Sequence, residues 1–235
     1  MDQLHSYADQ RLISGCVHCG RMAESDDHVP SRVLLDEPYP ENLPVVPSCT
    51  TCNTGFSLDE EYLACLIECA RAGSVEAVGR PKIRRILERS PALVARLHQA
   101  RRESLFGDVE FVPELPRVSN VLVKLARGHA AFELSQPLHH APDSVRSAPL
   151  CTLKPEAIDA FEVAPDIGAG IWPEVGSRAM QRLVVSQTAG LVTMDWITVQ
   201  EGQYRYLATA SSSAVVRMVI GEYLACEVVW DELYP

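Results

Sequence analysis

The chain is poor in aromatic residues, which make up 6% of its 235 positions. It also has no apolar run approaching the roughly 18 to 20 consecutive residues that a membrane-spanning helix needs, so no membrane partner is expected. The first residues, Met1 to Tyr7, show no basic start followed by an apolar stretch. Neither a secretory nor a transit signal is read there, and a cytoplasmic location is expected. Internal repeats and low-complexity tracts are missing too, which excludes solenoids and tandem arrays. Positive charge is scarce: 21 Lys and Arg stand against 31 Asp and Glu, a formal net charge of -10. As an average, that balance argues against a protein that grips the phosphate backbone of nucleic acid. What the chain does have is apolar content, 47% of all residues. At this length it suffices for one large domain or two small ones with a real core.

The acidic average hides a segregation. Residues 71–130 carry 12 Lys/Arg against 6 Asp/Glu, whereas both flanking segments are acidic. The expected organisation is α+β, with a motif-bearing segment over 1–72, a basic helical segment over 73–140 and a β-rich region over 141–235. Ser57-Leu58-Asp59-Glu60 has the capping-box spacing, and Leu63, Leu66, Ile67 and Ala70 recur at helical intervals until Gly73. A helix over about 57–72 follows. Further helices are expected from Pro81, through Ala92 to Leu97, and after Ser119 with Val121, Leu122, Leu125 and Ala126 on one side. Strands are expected at 183–185, 191–199, 204–207 and in the run from Ala214 to Trp230, whose length also suits a helix.

Eight cysteines are few for a disulfide-stapled scaffold, and their spacing points to metal instead. Cys16 and Cys19 form one Cys-x-x-Cys pair, and Cys49 and Cys52 form a second. Two such knuckles let four thiolates reach one ion at about 2.3 Å, so a structural Zn2+ on Cys16, Cys19, Cys49 and Cys52 is expected. Cys65 and Cys69, four apart in a helical stretch, read as small core residues. His18 lies inside the first knuckle without replacing a cysteine and is expected to be exposed. His129 reads as a partly buried helical residue, and His139-His140 as a Pro-flanked loop.

Between the knuckles stand Asp26-Asp27-His28-Val29-Pro30 and Asn42-Leu43-Pro44, and Asn53 follows the second knuckle directly. This arrangement resembles the HNH endonucleases of the ββα-metal class, in the branch that four cysteines staple with zinc. The resemblance covers roughly residues 16–62. It implies an N-terminal zinc-stapled ββα-metal (HNH) module in which His28 activates water and Asn42 orients the hairpin loop. Asp27 and Asn53 would hold a catalytic Mg2+ or another divalent ion, and DNA would be the substrate. Asp26 is an alternative ligand. Asp59 and Glu60 either approach the ion through water or, the more ordinary role, favour the positive end of their helix.

The chemistry makes sense apart from the family. A neutral imidazole can accept a proton from water near neutral pH, and a hard ion held by a carboxylate and an amide oxygen can stabilise a departing alkoxide. Neighbours on a strand face opposite ways, so Asp27 and His28 can share one site only if the strand ends or bends there. The basic run beginning Arg80, Lys82, Arg84, Arg85 is the expected phosphate-tracking surface. Two other readings of the same residues are a zinc-ribbon or RING-like interaction module and an inactive HNH scaffold. The β-rich region suits a specificity domain, a homodimer surface or a regulatory sensor.

Overall fold

A computed structural model of the chain describes residues 5–104, 107, 109–163, 173–182, 196–210 and 213–231. Among the described residues the architecture is mixed α+β, with six α-helices and a five-stranded antiparallel sheet. A short hairpin comes first. Strand β1 (Ser25–His28) pairs antiparallel with β2 (Val45–Ser48), Ser25 opposite Ser48 and His28 opposite Val45. Helix α1 (Thr50–Gly55) follows at once, then α2 (Ser57–Ala72), α3 (Pro81–Arg89) and α4 (Pro91–Ala100). A small ribbon of β3 (Arg101–Glu103) and β4 (Val109–Phe111) leads into α5 (Leu115–His129), whose last turn widens into a π-helical segment, Ala130–Leu134. No described helix is long and apolar enough to cross a membrane.

The large sheet belongs to the C-terminal part of the chain, in the order β5-β9-β8-β7-β6. Its strands are β5 (Ser144–Pro149), β6 (Ile197–Gln200), β7 (Tyr204–Ala210), β8 (Ala214–Ile220) and β9 (Leu224–Trp230). The run from Ala214 to Trp230 is therefore a hairpin and not a helix. Its β-branched residues favour strands, and Gly221 (φ +65°) with Glu222 (φ +47°) supplies the left-handed turn that reverses the chain. Helix α6 (Pro155–Glu162) interrupts the region expected to be β-rich. The strand expected at 183–185, and residues 191–195 of the next, lie outside the described residues; β6 takes up the remainder.

Helix α2 begins at Ser57 and ends at Gly73 (φ +79°), where a left-handed cap suits glycine. Its start differs from the capping-box pattern. Phe56 is already helical, joining α1 to α2, so Ser57 stands inside the helix and Glu60 is released for another partner. Nearly every face of the helix is covered: Tyr62, Leu63, Cys65, Ile67 and Cys69 are all buried. Burial pushes the Cys65 and Cys69 thiols up to about 12, as befits inert core residues. One hydrophobic core contains residues of all three compositional segments, among them Leu34, Tyr62, Leu122 and Trp230. A second, smaller cluster of Val17, Val29, Val46, Ala131 and Phe132 seals the hairpin against the end of α5. Gly128 permits that contact, because a Cβ there would lie 2.5 Å from Val29 Cγ2.

His129 is fully buried, 2.8 Å from the Tyr204 hydroxyl and stacked on Tyr206 at 3.7 Å between ring centroids. Burial, helped by the Lys124 charge, draws its pKa down to about 3. The unfolded imidazole protonates near 6.5, so this residue's contribution to stability is whole above that pH and is lost as pH falls toward 3. Each pH unit in that window is worth up to about 1.4 kcal/mol. Urea unfolding between pH 7 and pH 5 is expected to show stability falling on acidification, with a shallower fall in His129→Gln. Equal slopes for the two proteins would contradict the buried neutral imidazole.

Candidate metal centre and hairpin site

The first knuckle is a tight turn. Cys16 O accepts from Cys19 N at 3.3 Å and from Gly20 N at 2.8 Å, while Cys16 N donates to Arg21 O at 2.7 Å. Gly20 takes φ +73°, and a Cβ there would lie 3.3 Å from the His139 ring. The second knuckle sits at a helix start: Cys49 caps α1, its sulfur accepting from Cys52 N at 3.4 Å. The four sulfurs all lie within 4.8 Å of one another. Cys19 Sγ and Cys49 Sγ are 3.7 Å apart, close to the roughly 3.8 Å edge of a tetrahedron with 2.3 Å zinc–sulfur arms. The Arg21 guanidinium and backbone N–H, both hydrogen-bonded to Cys19, draw that thiol down to about 6. Burial beside the other thiols pushes Cys52 up. Four sulfurs this close cannot all carry negative charge without a cation among them, so the donor set fits a metal ion and is compatible with structural zinc.

The knuckle is also held from outside. Arg127 of α5 donates to His18 O at 3.1 Å and to the carbonyls of His139 and His140, each at 2.9 Å. His139 Nε2 lies 3.2 Å from Cys16 O. His18 itself is not exposed. It is 4% accessible, and its Nε2 stands 3.0 Å from Asp27 Oδ2.

Along β1 the side chains alternate through to the end: Asp26 is exposed, Asp27 buried and His28 half-buried. Asp27 and His28 therefore face opposite sides of the strand. Burial alone would raise the Asp27 carboxyl, but the His18 hydrogen bond and the Lys124 charge outweigh it and hold the pKa below its ordinary value. Lys124 Nζ lies 3.0 Å from Asp27 Oδ1 and 2.9 Å from Oδ2. It also donates to Ser31 Oγ at 2.8 Å and to Glu60 Oε1 at 2.7 Å, and Ser31 Oγ hydrogen-bonds Glu60. Asp59 turns to α5 as well, accepting from Arg117 Nε at 2.6 Å and Asn120 Nδ2 at 2.8 Å. Both acids at the start of α2 thus bind α5.

Asn53 donates its amide to Ser25 Oγ at 3.1 Å and to Asp26 O at 3.2 Å, tying α1 to the edge of β1. The Asp27 carboxylate is enclosed by Lys124, which meets both its oxygens, and by His18, while the Asn53 amide nitrogen is engaged with Ser25 and Asp26. This pair does not fit a hydrated divalent ion in the arrangement the chain adopts. Asn42 lies exposed in the turn before β2. His28 closes β1, and burial, aided by the Arg32 charge, lowers its pKa, so the ring is neutral at neutral pH. Arg32 is exposed, with its guanidinium 5.3 Å from the centre of the Tyr39 ring.

The expected basic surface divides. Arg80 is committed to Asp36 Oδ1 at 2.6 Å, and Lys82 to Leu35 O at 3.0 Å and Tyr39 Oη at 2.8 Å, bracing the segment before β2. Arg84 and Arg85 stay exposed on α3. Lys124, Ser31 and Arg127 are the functional neighbours that sequence reasoning passed over. The trace of the two cations is the spacing of Arg117, Asn120, Lys124 and Arg127 along a single face of α5.

Comparison with family models, with curated proteins and with solved structures gives no match to this chain.

One equivalent of zinc per chain is expected from metal analysis of the purified protein, and Cys49→Ser is expected to lose it; a full equivalent retained in that variant would contradict the four-sulfur site. Lys124→Met leaves two buried carboxylates without their cation and is expected to lower stability by about 3–5 kcal/mol in urea denaturation. A loss under about 1 kcal/mol would contradict the buried pairing.

Proposed function

We propose that the chain is a zinc-stapled hydrolase of the HNH endonuclease kind, cleaving phosphodiester bonds in DNA. The observation that carries this reading is His28: a half-buried, neutral imidazole closing the first strand of a hairpin that four cysteines hold against a helix. A ring in that state accepts a proton from water, and the water oxygen bonds to phosphorus as the P–O3′ bond breaks; the departing oxygen takes its proton from solvent. In this reading Arg32, the cation whose charge reaches His28, meets a phosphate oxygen as negative charge builds up. The exposed Arg84 and Arg85 add a positive surface for the flanking backbone. No step is assigned to an ion on Asp27 and Asn53.

A second reading, an HNH scaffold without chemistry, is favoured by the burial of Asp27 under Lys124. Plasmid cleavage separates the two. Zinc-loaded protein would be incubated with Mg2+, with Mn2+ and without added divalent ion, beside His28→Ala. The nuclease reading expects cleavage that falls about 10²- to 10⁴-fold in the variant. Equal cleavage by both proteins would sink the role of His28, and no cleavage under any condition would leave the scaffold.

A further inference from the structure

The ammonium of Lys124 sits in a cage of oxygens. Two come from Asp27, one from Glu60 and one from Ser31, all within 2.7–3.0 Å of Nζ. The lysine is 2% accessible, and Asp27, Ser31 and Glu60 are 5%, 6% and 9% accessible. Two carboxylates and a hydroxyl converging in a closed space are the donor set of a hard cation. They come from three separate parts of the chain: β1, the segment after it, and α2. Each would repel or desolvate the others if nothing positive stood between them. His18 completes the enclosure, its Nε2 on Asp27 Oδ2.

We propose that Lys124 is the resident cation of this cage and holds the position that the HNH-like reading gives to a divalent ion on Asp27. Asp27 then carries no exchangeable metal in the folded chain, and its role is to position β1, and with it His28, against α2 and α5. This deepens the nuclease reading and rests on it only for the part played by His28. The cage itself stands on the four oxygen contacts. A divalent ion can enter only where the ammonium has left. Removing the charged end of the side chain while keeping its length converts an internal ion pair into an empty site with two carboxylates.

The test uses Mn2+, an oxygen-seeking ion whose unpaired electrons report binding, on full-length zinc-loaded protein. Wild type and Asp27→Asn are expected to give the same Mn2+ spectrum and the same melting temperature with and without millimolar Mn2+. Lys124→Met is expected to melt below wild type and to regain several degrees on addition of Mn2+. The double variant Asp27→Asn/Lys124→Met is expected to regain none. One Mn2+ bound by wild type and lost in Asp27→Asn would overturn the proposal, and that comparison holds whether or not Lys124→Met folds. A natively folded Lys124→Met with no Asp27-dependent Mn2+ binding would overturn it equally, since the oxygens would then not form a cation site. Neither measurement passes through DNA cleavage, so a chain that fails to cut plasmid leaves this test intact.

Discussion

The contact on which the rest of the N-terminal half depends is the buried ammonium of Lys124 among the oxygens of Asp27, Ser31 and Glu60. A β-hairpin with four-residue strands is marginal by itself. Here it is fixed at one end by four cysteines and in the middle by a lysine from a helix 97 positions away in sequence. The two devices are linked, because His18 lies between Cys16 and Cys19 and bonds the same carboxylate that Lys124 holds. Cysteine cluster, strand and helix are therefore one mechanical unit.

That unit changes the meaning of the acidic composition. Several carboxylates near the motif are paired within the protein: Asp27 and Glu60 share Lys124, Asp59 meets Arg117 and Asp36 meets Arg80. Part of the basic surplus of residues 71–130 is spent in the same pairs. What remains for a polyanion is a smaller set that includes the exposed Arg32, Arg84 and Arg85. These pairs remove charges of both signs together, so the net charge of -10 stands while fewer cations remain for a polyanion than the count of residues 71–130 suggests.

The sequence was most readable where local rules act. The cysteine spacing foretold a cluster of four sulfurs, and the apolar periodicity with Gly73 foretold α2. The Pro start of α3, the body of α4 and the buried face of α5 were legible for the same reason. Reading ran out where tertiary contacts override local preference. Glu60 has the right spacing for a capping box, yet a buried cation three turns along another helix draws it inward. Lys124 lies on what periodicity marks as the polar face of α5, and polarity does not tell whether that face meets water or another part of the protein. His18 looked exposed because nothing nearby in sequence explains its burial. The hairpin of β8 and β9 was ambiguous because a single Gly-Glu turn divides two apolar runs of equal length.

The polar face of α5 carries a further consequence. Arg117, Asn120, Lys124 and Arg127 meet, in order, the start of α2, the oxygen cage and the first cysteine knuckle. A helix turns about 100° per residue, so one residue gained or lost between Arg117 and Arg127 would swing some of these side chains away from partners that stay where they are. The length of this stretch is as tightly specified as its chemistry. Descendants of the chain would be free to vary the loops in size while α5 keeps its residue count, which makes this helix the ruler against which the metal centre and the hairpin are set.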